Sequence, residues 1–418
     1  MTANAAECPY FPMRREPSEP LSPPSDLLAF RERCPMVRVR LWDGNLAWLV
    51  TRYADQRAVL ADDRFSADVR RPGFPQSAPA TATWFQRARP LMTMDNPEHD
   101  ALRRSMAGAF TIRRVERLRP RVRQLVDELI DAMVAGGNPA DLVTALALPL
   151  PSAVICELLG VPYTDHDFFV RTAGTVVSTS APAEQSRDAI DQLLSYVADL
   201  ITARCDAVRR DTEPVDDLLG SIVRDQYLGG RYTLEETAAI ALQLLLAGHD
   251  TTAQMIALGV LALLLHPDQL ALARDPDSAV PMANVVEELL RYLNVVHTGR
   301  RRVATEDVDV AGQVVRAGEG VVLSSDLGNR DPRSFDRPDE LDVTRKVRHH
   351  LSFGYGVHQC LGAPLARMEL QVAYATLFRR IPSLRLATDV ASLNFREAAV
   401  VYGVAELPIT WNTARGAL

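Results

Sequence analysis

The sequence predicts a mainly α-helical fold with small β-sheets on one side, and three observations lead there. A long apolar helical pattern begins at Thr233 and runs to about His266, where Pro267 stops it. Helical segments follow one another from about residue 95 to 225, separated by turn residues. Alternating apolar segments, by contrast, are short and fall within 37–50 and 308–323. With 418 residues, 47% of them hydrophobic, the chain can bury a large core.

Charge and cysteines narrow the class. The net charge of −7, from 46 basic and 53 acidic residues, argues against general nucleic-acid binding. Lys346 is the only lysine, which reads as genomic base composition rather than chemistry. Cys8, Cys34, Cys156, Cys205 and Cys360 are widely spaced and odd in number, which fits a reducing cytoplasm and no disulfide framework. The N-terminus lacks an apolar signal region. The apolar stretch 238–265 is interrupted by His249, Asp250, Thr251, Thr252 and Gln254, so no membrane span is expected.

Taken in order, residues 1–25 are proline-rich and are expected to wrap the surface. Alternation over 37–42, a turn at Asp43, Gly44 and Asn45, and apolar 47–50 read as a β-hairpin. Residues 53–60 read as a short helix, and 65–92 as a long loop rich in Pro, Gly, Ser and Thr. A helix then opens near Asp95 and places His99 and Arg103 on one face. Breaks fall at Gly136 and Gly137, at Gly160 and Pro162, and at Glu213 and Pro214. Thr233 and Glu236 have the spacing of a capping box at the head of the long helix. Midway along it, the polar run His249 to Thr252 is costly unless it is paired or functional. Gly248 leaves room there, and threonine can bond back to a helical carbonyl and bend the helix. On the helix 285–291, Glu288 and Arg291 stand one turn apart. Short strands follow at 308–310 and 320–323.

The most informative stretch is 353–362, with Phe353, Gly354, Gly356, His358, Cys360 and Gly362. Gly354 and Gly356 suit a tight turn, and Leu361, Leu365, Met368 and Leu370 start a helical pattern with Pro364 in its first turn. Cys360 therefore sits at a helix start, where N–H groups and the dipole favour a thiolate. A lone cysteine would read as a small buried hydrophobe. Set among glycines that admit a flat group, a thiolate can serve as an axial ligand to haem iron. These ten residues match the cysteine-loop signature of the cytochrome P450 superfamily. Nearly the whole chain resembles a soluble bacterial member of the actinomycete type, a haem-thiolate monooxygenase.

The resemblance implies a cytochrome P450 fold in one compact domain over 1–418, with haem b between the long central helix and the cysteine loop. It implies Cys360 as iron ligand and Phe353 and Gly362 as cofactor-loop residues. His99, Arg103, Arg302 and His358 are implied as propionate partners. Asp250 and Thr251 match the acid–alcohol pair that manages protons during dioxygen use. Glu288, Arg291 and Arg345 match a buried structural triad serving fold and haem incorporation. The loop 65–92, lid helices within 163–210, residues 293–299 and the turn 399–403 are implied to enclose substrate. Phe74, Trp84, Phe85, Leu244, Ala247, Gly248, Val295, Val296, Val400 and Val401 are therefore candidate pocket residues.

The expected reaction inserts one atom of O2 into a hydrophobic small molecule, a natural product or xenobiotic. No flavin or iron–sulfur segment is readable, so electrons are expected from a ferredoxin and ferredoxin reductase. Arg113, Arg114, Arg117 and Arg119, with Arg103 and Arg104 nearby, form a basic cluster suited to an acidic ferredoxin; a solvated arginine face is the other reading. A cytoplasmic monomer is expected. A haem sensor and a degenerate scaffold are the rival classes. The intact Asp250 and Thr251 argue against the first, and the complete cysteine loop against the second.

Overall fold

The computed structural model describes residues 8–412 apart from 80, 81, 83, 86–88, 163, 164, 179, 180, 211–216, 276 and 348. The break expected at Glu213 and Pro214 lies outside the described residues. The strands are β1 (Met36–Arg40), β2 (Leu46–Val50), β3 (Phe65–Ser66), β4 (Ala140–Asp141), β5 (Arg300–Ala304), β6 (Val308–Val310), β7 (Gln313–Val315), β8 (Gly320–Leu323), β9 (Arg385–Leu386) and β10 (Pro408–Thr410). They form a five-stranded sheet ordered β1-β2-β8-β5-β3, a three-stranded sheet β4-β10-β9, and the hairpin β6-β7.

Helices make up the rest. The central helix, Leu234–Leu265, is buried along most of its length because its sequence is apolar on nearly every face. Its start is fixed as the spacing predicts. Glu236 N–H donates to the Thr233 hydroxyl at 3.2 Å, and Thr233 N–H donates to the Glu236 carboxylate at 2.8 Å. Among the described residues it is the one helix long and apolar enough to cross a membrane, yet it lies inside the protein. Pro267 ends it and also opens the next helix, Pro267–Arg274.

Around the central helix pack Pro149–Leu159, Ala183–Arg210 and the proximal helix Ala363–Arg380, while His166–Val177 packs on Ala183–Arg210. The crossing with the proximal helix is close. A Cβ on Gly259 would lie 2.0 Å from the Tyr374 hydroxyl, which donates to the Met255 carbonyl at 2.5 Å. Only glycine fits under that phenol. The main apolar core joins these helices, while two smaller clusters lie on the two faces of the five-stranded sheet. Val321 faces one cluster and Val322 the other, as the two-residue period of a strand requires.

The hairpin forms at 36–50, with Gly44 at φ 83°. The N-terminal segment departs from expectation. Rather than only wrapping the surface, it buries Phe11, Arg15 and Leu21. Arg15 donates to the Ser22 carbonyl at 2.7 Å and pairs with buried Asp326 at 2.9 Å. The Tyr402 hydroxyl donates to the Pro20 carbonyl at 2.8 Å. A buried arginine needs such partners, and the charged one, Asp326, lies 311 residues away in sequence.

Candidate active site

The cysteine loop takes its shape from glycine. Gly354 and Gly356 have φ of 74° and 73°. A Cβ on Gly356 would also lie 2.3 Å from the Leu60 carbonyl oxygen, so the loop packs directly on helix Tyr53–Ala61. Cys360 N–H closes the loop on the Phe353 carbonyl at 2.8 Å. Gly362 precedes the proximal helix and Pro364 lies in its first turn.

The Cys360 side chain keeps accessible surface. The protein packed around it pushes the thiol up, against the pull of the Gly362 N–H and of Arg300, Arg103 and Arg367. A positive centre bound to the sulfur would supply what the protein leaves short.

Beside the cysteine loop, basic side chains gather, with Asp100 the one carboxylate within salt-bridge distance of them among the described residues. The rings of His99 and His358 lie 4.1 Å apart. Both His99 ring nitrogens are buried without a hydrogen-bond partner; its Nδ1 is 3.4 Å from Asp100. Burial pushes His99 below the usual histidine range, and Arg103 and Arg302 add to this while Asp100 opposes it. His358 is pushed down to about 2 by burial and by Arg302, His99 and Arg103. Burial likewise takes Arg302 down to about 10, with Arg300 contributing. The Arg302 guanidinium donates to the Arg301 carbonyl at 2.7 Å. Four groups that repel one another as cations, with unused donors, fit an anionic ligand such as the two propionates of haem.

Behind the loop lies a second network. Arg291 grips Glu288 with two bonds of 2.8 Å, both side chains fully buried. Arg345 reaches the same carboxylate at 3.2 Å. Arg291 also donates to the carbonyls of Asn329, Pro338 and Glu340 at 2.7–3.0 Å. Glu288, Arg291 and Arg345 are thus brought together around the segment 329–345. Glu287, one residue earlier, pairs with Arg367 at 2.6 Å and with His350 at 3.2 Å. Burial favours its neutral form, but His350 and Arg367 overcome this and hold Glu287 at about 2. Arg367 then lies over the Phe353 ring, 4.6 Å from its centroid.

On the central helix, Leu244, Ala247, Gly248 and Thr251 keep accessible surface, as do Gln243 and Leu246, while Leu245, His249, Asp250 and Thr252 are buried. The spacing of Leu244, Ala247, Gly248 and Thr251 places these four on one stripe of the helix. The Thr251 hydroxyl donates to the Ala247 carbonyl at 2.8 Å. Asp250 is buried and clamped by Arg396, with bonds of 2.6 and 3.0 Å to its two oxygens. Sequence reasoning missed Arg396. It lies 146 residues away, and no local pattern marks it. His249 packs, with its Nδ1 2.5 Å from the Ser152 hydroxyl and its ring on Phe169.

The candidate pocket residues divide. Val295, Val296, Val400, Phe74 and Phe85 are partly accessible. Trp84 and Val401 are each only 6% exposed, and Trp84 packs in the main core beside Met94 and Leu102. Tyr402 N–H donates to the Val295 carbonyl at 2.7 Å, joining the 399–402 turn to the segment after helix Met282–Tyr292.

Known proteins share this architecture. The Cytochrome P450 family profile matches residues 175–383. The chain is 45% identical over 392 residues to pentalenic acid synthase of Streptomyces avermitilis, covering 94% of this chain and 95% of that one. It is 42% identical over 411 residues to vitamin D3 dihydroxylase of Streptomyces griseolus, covering 98% of each. The crystal structure of mycinamicin VIII C21 methyl hydroxylase from Micromonospora griseorubida, bound to mycinamicin VIII, superposes with a TM-score of 0.87. Its sequence is 37% identical, with 96% of this chain and all of that chain covered. With identities above 40% to curated relatives over almost the entire length of both chains, and with the family profile matched across the central helix and the cysteine loop, the chain belongs to the cytochrome P450 family.

Proposed function

We propose that this enzyme hydroxylates or epoxidises a hydrophobic natural product or xenobiotic, with electrons from a ferredoxin and ferredoxin reductase. As a cytochrome P450 monooxygenase it works with haem b, which supplies dioxygen activation when bound. The chain contributes the ligand, the cradle and the proton path. Cys360 would hold the haem iron through its sulfur, and His99, Arg103, Arg302 and His358 would hold the propionates. Phe353 and Gly362 shape the loop around the sulfur. Glu288, Arg291 and Arg345 fix the segment that carries that loop.

Thr251 and Asp250 handle protons. The Thr251 hydroxyl is accessible on the cleft stripe, where it can order water. Asp250 can pass protons from solvent only after leaving Arg396, so the clamp sets when the carboxylate is free to move. Substrate is enclosed by the open stripe 244–251, Val295, Val296 and Val400. The relatives named above carry pentalenic acid, vitamin D3 and mycinamicin VIII in their descriptions, which supports a natural-product or related small-molecule substrate for this chain.

For electron delivery, Arg104, Arg113 and Arg117 are exposed, next to Ile112 at 72% exposure. Arg119 is already engaged by Glu116 and Gln371. The docking face is therefore narrower than the cluster read from sequence.

The observation that carries the reading is the gathering of His99, Arg103, Arg302 and His358 beside Cys360, with both buried ring nitrogens of His99 lacking a hydrogen-bond partner. The test is the carbon monoxide spectrum of the reduced protein. The wild type should show the red-shifted Soret band of thiolate ligation, and Cys360→Ser should lose it. An Arg103→Ala/Arg302→Ala double variant should lose haem while keeping its helical content. Full haem occupancy in that variant would refute the cradle.

A further inference from the structure

Strand β5 carries three arginines in a row, and its register sends them to different sides of the sheet. Arg301 lies opposite Val322 and shares the face of Val322 and Leu49. Arg300 and Arg302 lie opposite Leu323 and Val321, on the other face. Arg300 donates at 2.6 Å to the Ser325 hydroxyl and at 2.6 Å to the Ser352 carbonyl. Arg301, only 8% exposed, reaches instead to the loop that holds Phe74. One terminal nitrogen donates to the Pro75 carbonyl at 2.9 Å and to the Gln76 carbonyl at 2.8 Å. The other donates to the Thr298 carbonyl at 2.8 Å. All three acceptors are neutral, and among the described residues no carboxylate pairs with this cation. Burying a charge on carbonyls alone, on an otherwise apolar face, is costly. Both ends of the fork are fixed. A Cβ on Gly73 would overlap the Gly318 carbonyl, and one on Gly320 would come within 2.9 Å of Pro75, so residues 73–76 lie directly on the turn entering β8. At the other end, Gly299 has φ of 73° and its N–H donates to the Val296 carbonyl at 3.1 Å, which ties Thr298 to Val295 and Val296.

We propose that Arg301 sets the substrate-size preference of the enzyme by bracing the Phe74 loop against the segment that carries Val295 and Val296. The proposal rests on the reading that these residues enclose substrate. A planar guanidinium can hold three carbonyls on two chain segments at once, which the point charge of a lysine cannot. The gap between the two segments is thereby fixed before a ligand arrives. Arg301 does not touch substrate; it is a positioning residue that acts through two stretches of backbone.

The experiment is a spectral titration of the haem-loaded protein with imidazole, 4-phenylimidazole and clotrimazole. These azoles of rising bulk bind the iron through nitrogen and shift the Soret band, so no substrate need be known. Arg301→Met removes the fork at similar length and lets the two segments part. Imidazole affinity should stay at the wild-type value, because so small a ligand needs no walls. The preference for clotrimazole over 4-phenylimidazole should rise about tenfold or more. Arg301→Lys keeps the charge, reaches fewer carbonyls and should fall between; where Arg301→Met does not retain haem, this variant decides by the same preference. The Trp42 indole also donates to the Gln76 carbonyl, at 3.1 Å. Trp42→Phe removes that donor and leaves the fork, so its preference should match the wild type. An unchanged preference in the Arg301 variants overturns the proposal. So does an equal change for all three azoles, or an equal shift in Trp42→Phe, because each marks Arg301 as one structural anchor among others. Phe74→Ala and Val295→Ala probe the reading beneath it. If neither alters clotrimazole binding, these residues do not enclose the ligand, and the enclosure is refuted together with the brace.

Discussion

The cysteine side and the lid side of the cleft are stabilised by different physics. On the cysteine side, Glu288 with Arg291 and Arg345, and Glu287 with Arg367 and His350, tie distant segments through charged hydrogen bonds. On the lid side, helices His166–Val177 and Ala183–Arg210 hold mainly by apolar side chains such as Phe169, Ile190, Leu193 and Ile201. Directional bonds fix the cysteine loop and the segments around it in one arrangement. Non-directional apolar contacts set no such orientation for the helices on the other side. Asp250 with Arg396 is the exception, a cysteine-side type of contact placed at the substrate turn.

The contrast is tested first where it is strongest. Glu288→Ala leaves Arg291 buried without its carboxylate and should cost about 3–5 kcal/mol, read by denaturant unfolding. A cost below about 1 kcal/mol, the value of an exposed pair, would erase the distinction between the two sides.

The exception comes next. Asp250→Asn should lower product formation about 10²-fold, with a larger solvent isotope effect. Arg396→Ala frees the carboxylate and should raise NADPH consumption relative to product. Wild-type coupling in Arg396→Ala would show that the clamp plays no part in proton control.

The cysteine side should also fail first in acid. Glu287 is held at about 2 in the folded protein, below its ordinary 4.5. A lowered carboxylate stabilises the fold above the unfolded value, and this contribution fades as pH falls from 4.5 toward 2. Its size is roughly 3 kcal/mol. Glu287→Gln should flatten that part of the stability profile, and an unaltered slope would place the acid sensitivity elsewhere. His350 does not share this role, since burial pushes it below the usual histidine range despite Glu287.

The smallest effect belongs to the lid. The Tyr196 hydroxyl donates to Asp165 at 3.0 Å, a partly buried contact beneath the lid. Tyr196→Phe should cost about 1 kcal/mol and leave the haem spectrum unchanged. A loss comparable with Glu288→Ala would mean that the lid, too, is pinned by polar contacts.

Legibility followed the same division. Gly354, Gly356 and Cys360 are contiguous, so turn chemistry and the following helical period were readable together. Glu288 and Arg291 were readable because one helical turn joins them. Arg396, Arg300 and the Glu287–Arg367 pair were not, because their partners lie far along the chain and no local spacing marks them. Three successive arginines in β5 were the available signal, since a strand that buries charged side chains must supply partners for them. The strands β4, β9 and β10 are two or three residues long, too short for alternation to show. Trp84 was hard to place from sequence for a related reason. In a segment without periodicity, an aromatic that packs in the core looks the same as one that meets substrate.

The N-terminal segment carries a practical consequence. Arg15 neutralises Asp326, which also accepts from Asn294 at 3.0 Å, and the Pro20 carbonyl holds Tyr402 in the turn beside Val295. Trimming residues 1–20 would remove both at once. Spectral titration of full-length and trimmed protein with the same compounds would reveal the difference, and identical affinities would disprove it. Where a recombinant version starts is therefore a decision about ligand preference as well as yield, and screening data from shortened chains describe a differently shaped receptor.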